Sequence, residues 1–396
     1  MRRFSFSCIM LGFLISSGSV AAQTSCEVDP ESWSEAALQR SLSTPLGLPP
    51  IPHPADNPPT RAKIELGRKL FFDRRLSINR TMSCAMCHVP EQGFTNWELS
   101  TAIGVEGRSI KRNSPSILNV GYLSALFHDG RDPSLETQFI GPLTARNEMA
   151  NPSAGHVVSL LNDLPEYKPL FDDAFGAHAS LDRIGMALGA YQRSVMAGNS
   201  PFDQWHFGGN EAAVSDAAKR GYEIFTGKGG CSSCHLVEDD HALFTDDQFH
   251  DTGYGQMREN KRQNPPRSIP VQVAPGVMHQ MDFSKVLSVS AKREADLGRY
   301  EVTEVPSDRW KFRTPTLRNL TVTPPYMHDG HFSTLTEVIR FYDQGGSDLP
   351  GQDPRIRPLK LTSIERKDLE AFLRSLTSPD LDCLTAEARV EQPDNY

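Results

Sequence analysis

Apolar residues fall into contrasting patterns along the chain, and each pattern predicts a different element. From Phe4 to Val20 they form a nearly continuous run, behind Met1, Arg2 and Arg3 and ahead of the small residues Val20-Ala21-Ala22. A basic start, a short apolar core and a small-residue cleavage site predict a secretory signal peptide over 1–22, with Gln23 opening the mature chain. An uncleaved membrane anchor is the other reading, but the run is short for one. Further on, Leu181, Ile184, Leu188, Tyr191 and Val195 recur at helical spacing. Ile364, Leu369, Phe372, Leu373 and Leu376 mark a second amphipathic helix, with Thr362 or Ser363 as its cap. The polar, turn-rich stretch 239–307 reads as long loops, and the proline-rich stretch 44–59 as part of an extended N-terminal arm. No later run is long enough to span a membrane. The expected fold is all-α.

Composition adds bounds. At 396 residues and 38% hydrophobic, the chain has room for two or three domains. A net charge of −8 with no basic run speaks against nucleic-acid binding. Its seven cysteines are too few for a disulfide scaffold, so their placement carries the information. Four of them lie in Cys84-Ala85-Met86-Cys87-His88 and Cys231-Ser232-Ser233-Cys234-His235. This is the c-type haem attachment pattern: two thiols add to the porphyrin vinyl groups and the adjacent His binds the iron. Zinc would want four ligands per site, and a redox dithiol would not need the His twice. Two covalent haem c groups are therefore expected, ligated by His88 and His235. Cys8 leaves with the signal peptide, which leaves Cys26 and Cys383. In an oxidising compartment they are expected to pair, two free buried thiols being the alternative.

The two motifs sit in related halves. Pro115-Ser116-Ile117-Leu118-Asn119-Val120 resembles Pro315-Thr316-Leu317-Arg318-Asn319-Leu320, His128-Asp129-Gly130 recurs as His328-Asp329-Gly330, and Leu135 as Leu335. All of these pairs share one ungapped offset, 315 − 115 = 200. The expected organisation is an arm over 23–60, haem domains over 61–205 and 206–385 related by duplication, and a tail over 386–396.

The paired haem motifs, the paired His-Asp-Gly segments and Phe341-Tyr342 resemble the bacterial dihaem cytochrome c peroxidase and MauG superfamily. That resemblance implies two cytochrome c-like domains and a periplasmic enzyme that uses hydrogen peroxide to oxidise a protein. The protein partner would be a modified target, such as a co-encoded one, or a small cytochrome c or copper-protein donor. In the family's reductively activated peroxidases a Met follows the second His-Asp-Gly and ligates the second haem. Here that position, 328 + 14, is Tyr342, as in MauG. The same step in the first half, 128 + 14, reaches Pro142, which cannot bind iron, and the position of an alternative His ligand holds Val105. The resemblance thus implies an open first haem and a Tyr342-capped second one. It also maps the peroxide-handling residues onto Gln138 and Glu148, and an interdomain Ca²⁺ onto Asn113, Thr323 and Pro325. One departure concerns the family's Trp between the haems, where this chain has His128. MauG's surface Trp beside the second haem is absent too, and Trp97, Trp205 and Trp310 remain as possible relays. A non-catalytic dihaem electron carrier, with both irons six-coordinate, is the alternative from a different class.

Overall fold

The computed structural model describes residues 26, 28–264, 266–285 and 295–390. The signal peptide and the end of the tail lie outside these. Two helix pairs form the frame. Arg61–Phe72 packs on Leu181–Ser194, and Asp216–Thr226 packs on Ser363–Arg374. Each begins where the sequence offers an oxygen to the first turn: Thr60, Ser180, Ser215 and Thr362 accept from the backbone N–H three residues on. Thr362, rather than Ser363, is the cap, and Glu365 closes a capping box with it.

In both pairs the helices meet across a glycine. A Cβ on Gly67 would lie 1.9 Å from the Ala187 carbonyl oxygen, and one on Gly221 would lie 2.0 Å from that of Asp368. Around the first pair, Ile64, Leu66, Leu70, Ile184 and Leu188 form one core; around the second, Phe225, Phe244, Leu369 and Phe372 form another. The predicted apolar faces supply both, with one correction: Ile364 is 67% exposed, because it stands in the first turn of its helix on the outer side.

The expectation of an all-α chain needs revising to mostly helical. Phe249–Asp251 pairs with Lys311–Arg313, and Ser268–Ala274 forms an antiparallel hairpin with Val277–Asp282. These strands lie in and beside the stretch read as loops, which also contains the helix Tyr254–Gln263. Alternating Ile269, Val271 and Val273 before Pro275-Gly276 are the hairpin's signal, and Gly276 at φ 74° supplies the left-handed turn residue. Ahead of the proline-rich stretch, Trp33–Leu42 is helical.

The proline-rich segment that follows touches both halves. The Tyr122 hydroxyl donates to the Pro49 carbonyl at 2.9 Å, while Gly47 accepts from Ala242 N–H and from the Arg318 guanidinium. Arg318 also pairs with Asp203; both are fully buried, and the pair is satisfied by hydrogen bonds on each side. At the other end, Cys383 bonds Cys26 with Cα atoms 5.1 Å apart. The helix that carries it, Leu381–Arg389, returns to the first core through Leu384 and Ala388.

Gly67→Ala should destabilise the protein by about 2 kcal/mol through overpacking at the helix contact. Denaturant titration checks this, and an unchanged midpoint would show that the contact yields freely.

Candidate functional site

Each haem motif opens on a short helical turn, Cys84–Cys87 in one half and Cys231–Ser233 in the other. Each motif histidine follows its turn and is locked by the same device. His88 Nδ1 donates to the Phe94 carbonyl at 3.2 Å, and His235 Nδ1 donates to that of Phe244 at 2.8 Å. A carbonyl only accepts, so Nδ1 carries the proton and Nε2 is left as the lone-pair nitrogen that a metal needs. Both phenylalanines are buried and left-handed, at φ 56° and 53°, a conformation costing about 1–3 kcal/mol in a bulky residue. Burial lowers both histidine pKa values, which keeps the rings neutral.

Beside the motifs lie two cavities, of about 680 Å³ and about 350 Å³. The first is lined by Cys84, Cys87 and His88, the second by Cys231, Cys234 and His235. Burial pushes the Cys84 and Cys87 thiols up to about 12 and Cys231 up to about 11. Such thiols are poor nucleophiles as they stand, which disfavours free dithiol redox chemistry at these positions. Cationic side chains are part of linings that mix apolar and polar residues: Arg112 and Arg131 at the first cavity, Arg355 and Arg357 at the second, and Arg313 at both. A flat apolar group bearing carboxylates fits each one.

Opposite ends of the sequence meet at these walls. The first cavity gathers Gln138, Pro142 and Glu148. Burial raises the Glu148 carboxyl above the usual range, and nearby Arg131 opposes the rise. Val105 is not part of this lining: it is buried in the first core, and its N–H donates to the Glu148 carbonyl at 2.9 Å. Tyr342 lines the second cavity with its phenol pKa raised by burial, as do Thr323 and Pro325, while Asn113 lines both cavities.

His128 also lines both cavities. Its Nε2 donates to the Asn113 carbonyl at 3.0 Å, and Asn113 N–H donates to the His328 carbonyl at 2.8 Å. Burial, with Arg112 adding to it, holds His128 down to about 3. His328 stacks on Phe312 with ring centroids 3.7 Å apart and is held down to about 4 by burial.

Sequence reasoning gave no role to a polar cluster at the second cavity. His250 lies between Asp246, 2.8 Å from Nε2, and Asp353, 3.0 Å from Nδ1, with Arg355 bridging Asp353 to the Ser233 carbonyl. Asp246 and His250 are four residues apart, but Asp353 and Arg355 reach them from about a hundred residues further along the chain, a contact that no local motif marks. Of the candidate relays, Trp97 is exposed, while Trp205 bonds Glu211 at the edge of the second core. Trp310 packs over Gly255.

Comparison with known proteins agrees with this geometry. Residues 61–212 match the family described as di-haem cytochrome c peroxidase. The chain is 36% identical to the methylamine utilization protein MauG of Methylorubrum extorquens over 82% of its length and 81% of MauG. It is 38% identical to the cytochrome-c peroxidase IdrP1 of Denitromonas iodatirespirans, over 86% of the chain and 89% of IdrP1. Among solved structures, a MauG-like protein associated with microbial copper homeostasis superimposes with a TM-score of 0.69 at 30% identity. That match covers 86% of this chain and 96% of the other.

A buried neutral His makes stability depend on pH. Between pH 6.5 and about 4 the unfolded chain binds a proton at residue 328 that the folded chain does not, so stability falls as pH falls. From pH 7 to 5 the loss from His328 should be about 2 kcal/mol. Denaturation at the two pH values, with His328→Gln losing correspondingly less, checks this.

Proposed function

The chain belongs to the di-haem cytochrome c peroxidase and MauG family and is a peroxidase-type oxidoreductase, and we propose a division of labour between its two cavities. Peroxide would be received in the cavity of His88, and the second cavity, where His235 and Tyr342 would hold the haem iron, would store or relay oxidising equivalents toward a protein partner. The observation carrying this reading is the asymmetry of the linings: Pro142 and the half-buried carboxyl of Glu148 at one, a phenol at the other. The haems, attached through Cys84 and Cys87 and through Cys231 and Cys234, supply the peroxide-binding iron and the electrons for O–O cleavage.

Within the first cavity Glu148 takes a proton from the incoming peroxide and returns it to the departing oxygen, the role its raised pKa supports. Gln138 orients the peroxide by hydrogen bonding. With neither Pro142 nor Val105 able to ligate, peroxide needs no prior reductive displacement of a ligand. That feature, with Tyr342, favours oxidation of a protein residue over simple turnover of a cytochrome or copper-protein donor.

We further infer that 61–205 and 206–385 derive from one duplicated haem domain, with the last helix returning to the first half. The common left-handed residues at the offset of 200 support this: Asn119 with Asn319, Phe127 with Met327, and Gly130 with Gly330. Asn113, Thr323 and Pro325 are the proposed calcium ligands, an all-oxygen set suited to a hard cation. The Asn113 amide nitrogen donates to the Ser100 carbonyl at 3.0 Å, which leaves its oxygen available to a cation. Periplasmic residence is part of this reading, supported by the expected signal peptide and by the Cys26–Cys383 bond. Among the described residues no helix is long and apolar enough to cross a membrane.

Glu148→Gln should slow the stopped-flow reaction with peroxide by about 100-fold while leaving haem content unchanged. The wild-type rate should fall as pH drops through a pKa above 4.5, and the variant should lack that step. An unchanged rate and profile would remove Glu148 from the chemistry.

A further inference from the structure

Tyr254 has no part in the scheme above. It opens the helix Tyr254–Gln263, in the stretch whose sequence reads as loop, and it is only 1% exposed. Its hydroxyl donates to Asp329 Oδ1 at 2.6 Å, the length of a strong hydrogen bond to a carboxylate. Arg258 holds the other oxygen of Asp329 at 2.8 Å, which keeps the carboxylate aimed at the phenol. Burial and the Asp329 charge both raise the phenol pKa, so the proton stays on Tyr254 at rest.

The ring bridges two residues of the second haem region. It meets His328 edge-to-face at 5.5 Å between centroids, and His328 lines the second cavity. It also meets Phe341 at 5.8 Å, and Phe341 in turn meets Tyr342 at 5.2 Å. On its far side, Asp329 lines a separate polar surface cleft of about 320 Å³ together with Arg258, His331, Glu98 and the exposed Trp97. One phenol therefore lies between a haem cavity and solvent, with a base in place.

We propose that Tyr254 is a redox-active tyrosine, with Asp329 as its proton acceptor, that carries an oxidising equivalent from the second haem cavity toward the surface cleft. This rests on the functional reading above, since hydrogen peroxide, a two-electron oxidant, supplies the equivalent. One electron passes from Tyr254 to the oxidised second haem, which is reduced by one electron. The phenolic proton crosses to Asp329. The products are a neutral tyrosyl radical and a neutral carboxylic acid, so charge and mass balance. The radical is quenched when a substrate or the exposed Trp97 returns one electron and Asp329 returns the proton.

Other tyrosines lack this combination. Tyr167 donates to Asp73 at 2.7 Å, but Lys69 and Arg75 lie over its ring, where positive charge opposes removal of an electron, and it lines neither cavity. Tyr191 is buried with its hydroxyl unpartnered, so its proton has no acceptor. Tyr122 and Tyr326 donate to carbonyls, which are poor bases.

Rapid-freeze electron paramagnetic resonance of the holoprotein after peroxide addition tests the proposal. The expected result is an organic radical whose hyperfine pattern narrows when tyrosine is ring-deuterated, lost in Tyr254→Phe and kept in Tyr167→Phe. Asp329→Asn retains a hydrogen-bonding partner but no base, and it should also lose the signal. It serves as the second variant if Tyr254→Phe folds poorly. A radical that persists in Tyr254→Phe or in Asp329→Asn overturns the proposal, as does a wild type whose haem spectrum responds to peroxide without forming any radical. A haem spectrum that ignores peroxide overturns the functional reading beneath it instead.

Discussion

The bond from each motif histidine to a phenylalanine carbonyl is the constraint on which the rest of the site depends. It selects the tautomer and fixes which side of the cavity faces the ligating nitrogen, while burial, working against that bond, keeps the imidazole neutral. Forming that bond needs Phe94 and Phe244 in a left-handed conformation, an unfavourable choice that the surrounding packing must offset. Neighbouring bonds brace each loop. Ser116 donates to the Gly93 carbonyl and Thr316 to that of Leu243, while Thr95 and Thr245 donate to the Ser114 and Thr314 carbonyls. With the proximal side set identically twice, any functional difference between the two centres must come from the distal side.

That is where the halves diverge. The first cavity holds a carboxyl made reluctant to ionise by burial, beside an amide and a proline; the second holds a phenol. Between them, His128 stands in a shared wall, its ring neutral and committed through Nε2 to Asn113. Imidazole is harder to oxidise than the indole usual there in this family, which shifts weight toward other routes out of the second cavity. The Tyr254–Asp329 pair lies on one such route.

Much of this was legible in the chain. The two pentapeptides mark the expected attachment positions, because the spacing of two thiols and a histidine is dictated by one macrocycle, and the structure sets each beside a cavity. The offset of 200 correctly aligned turns that the structure makes left-handed at both ends. Helix caps and two amphipathic faces were readable because their signals are local. What escaped has a common physical origin, since it depends on contacts between distant segments. The contact of Asp353 with His250, the pairing of Phe249–Asp251 with Lys311–Arg313, and the return of Leu384 to the first core all join residues that no local pattern connects. Ile364 was misread for the opposite reason: spacing placed it on a face, but a first-turn residue can point past the core that the face meets. The hairpin over Ser268–Asp282 carried a local alternation, masked by the polar, turn-rich composition around it.

The account stands on one centre being open and the other capped by a phenol. Electron paramagnetic resonance of the resting, fully oxidised holoprotein reads this directly. One high-spin and one low-spin ferric signal of equal intensity is the predicted result. Two low-spin signals would mean that a side chain fills the first centre as well, and would contradict it.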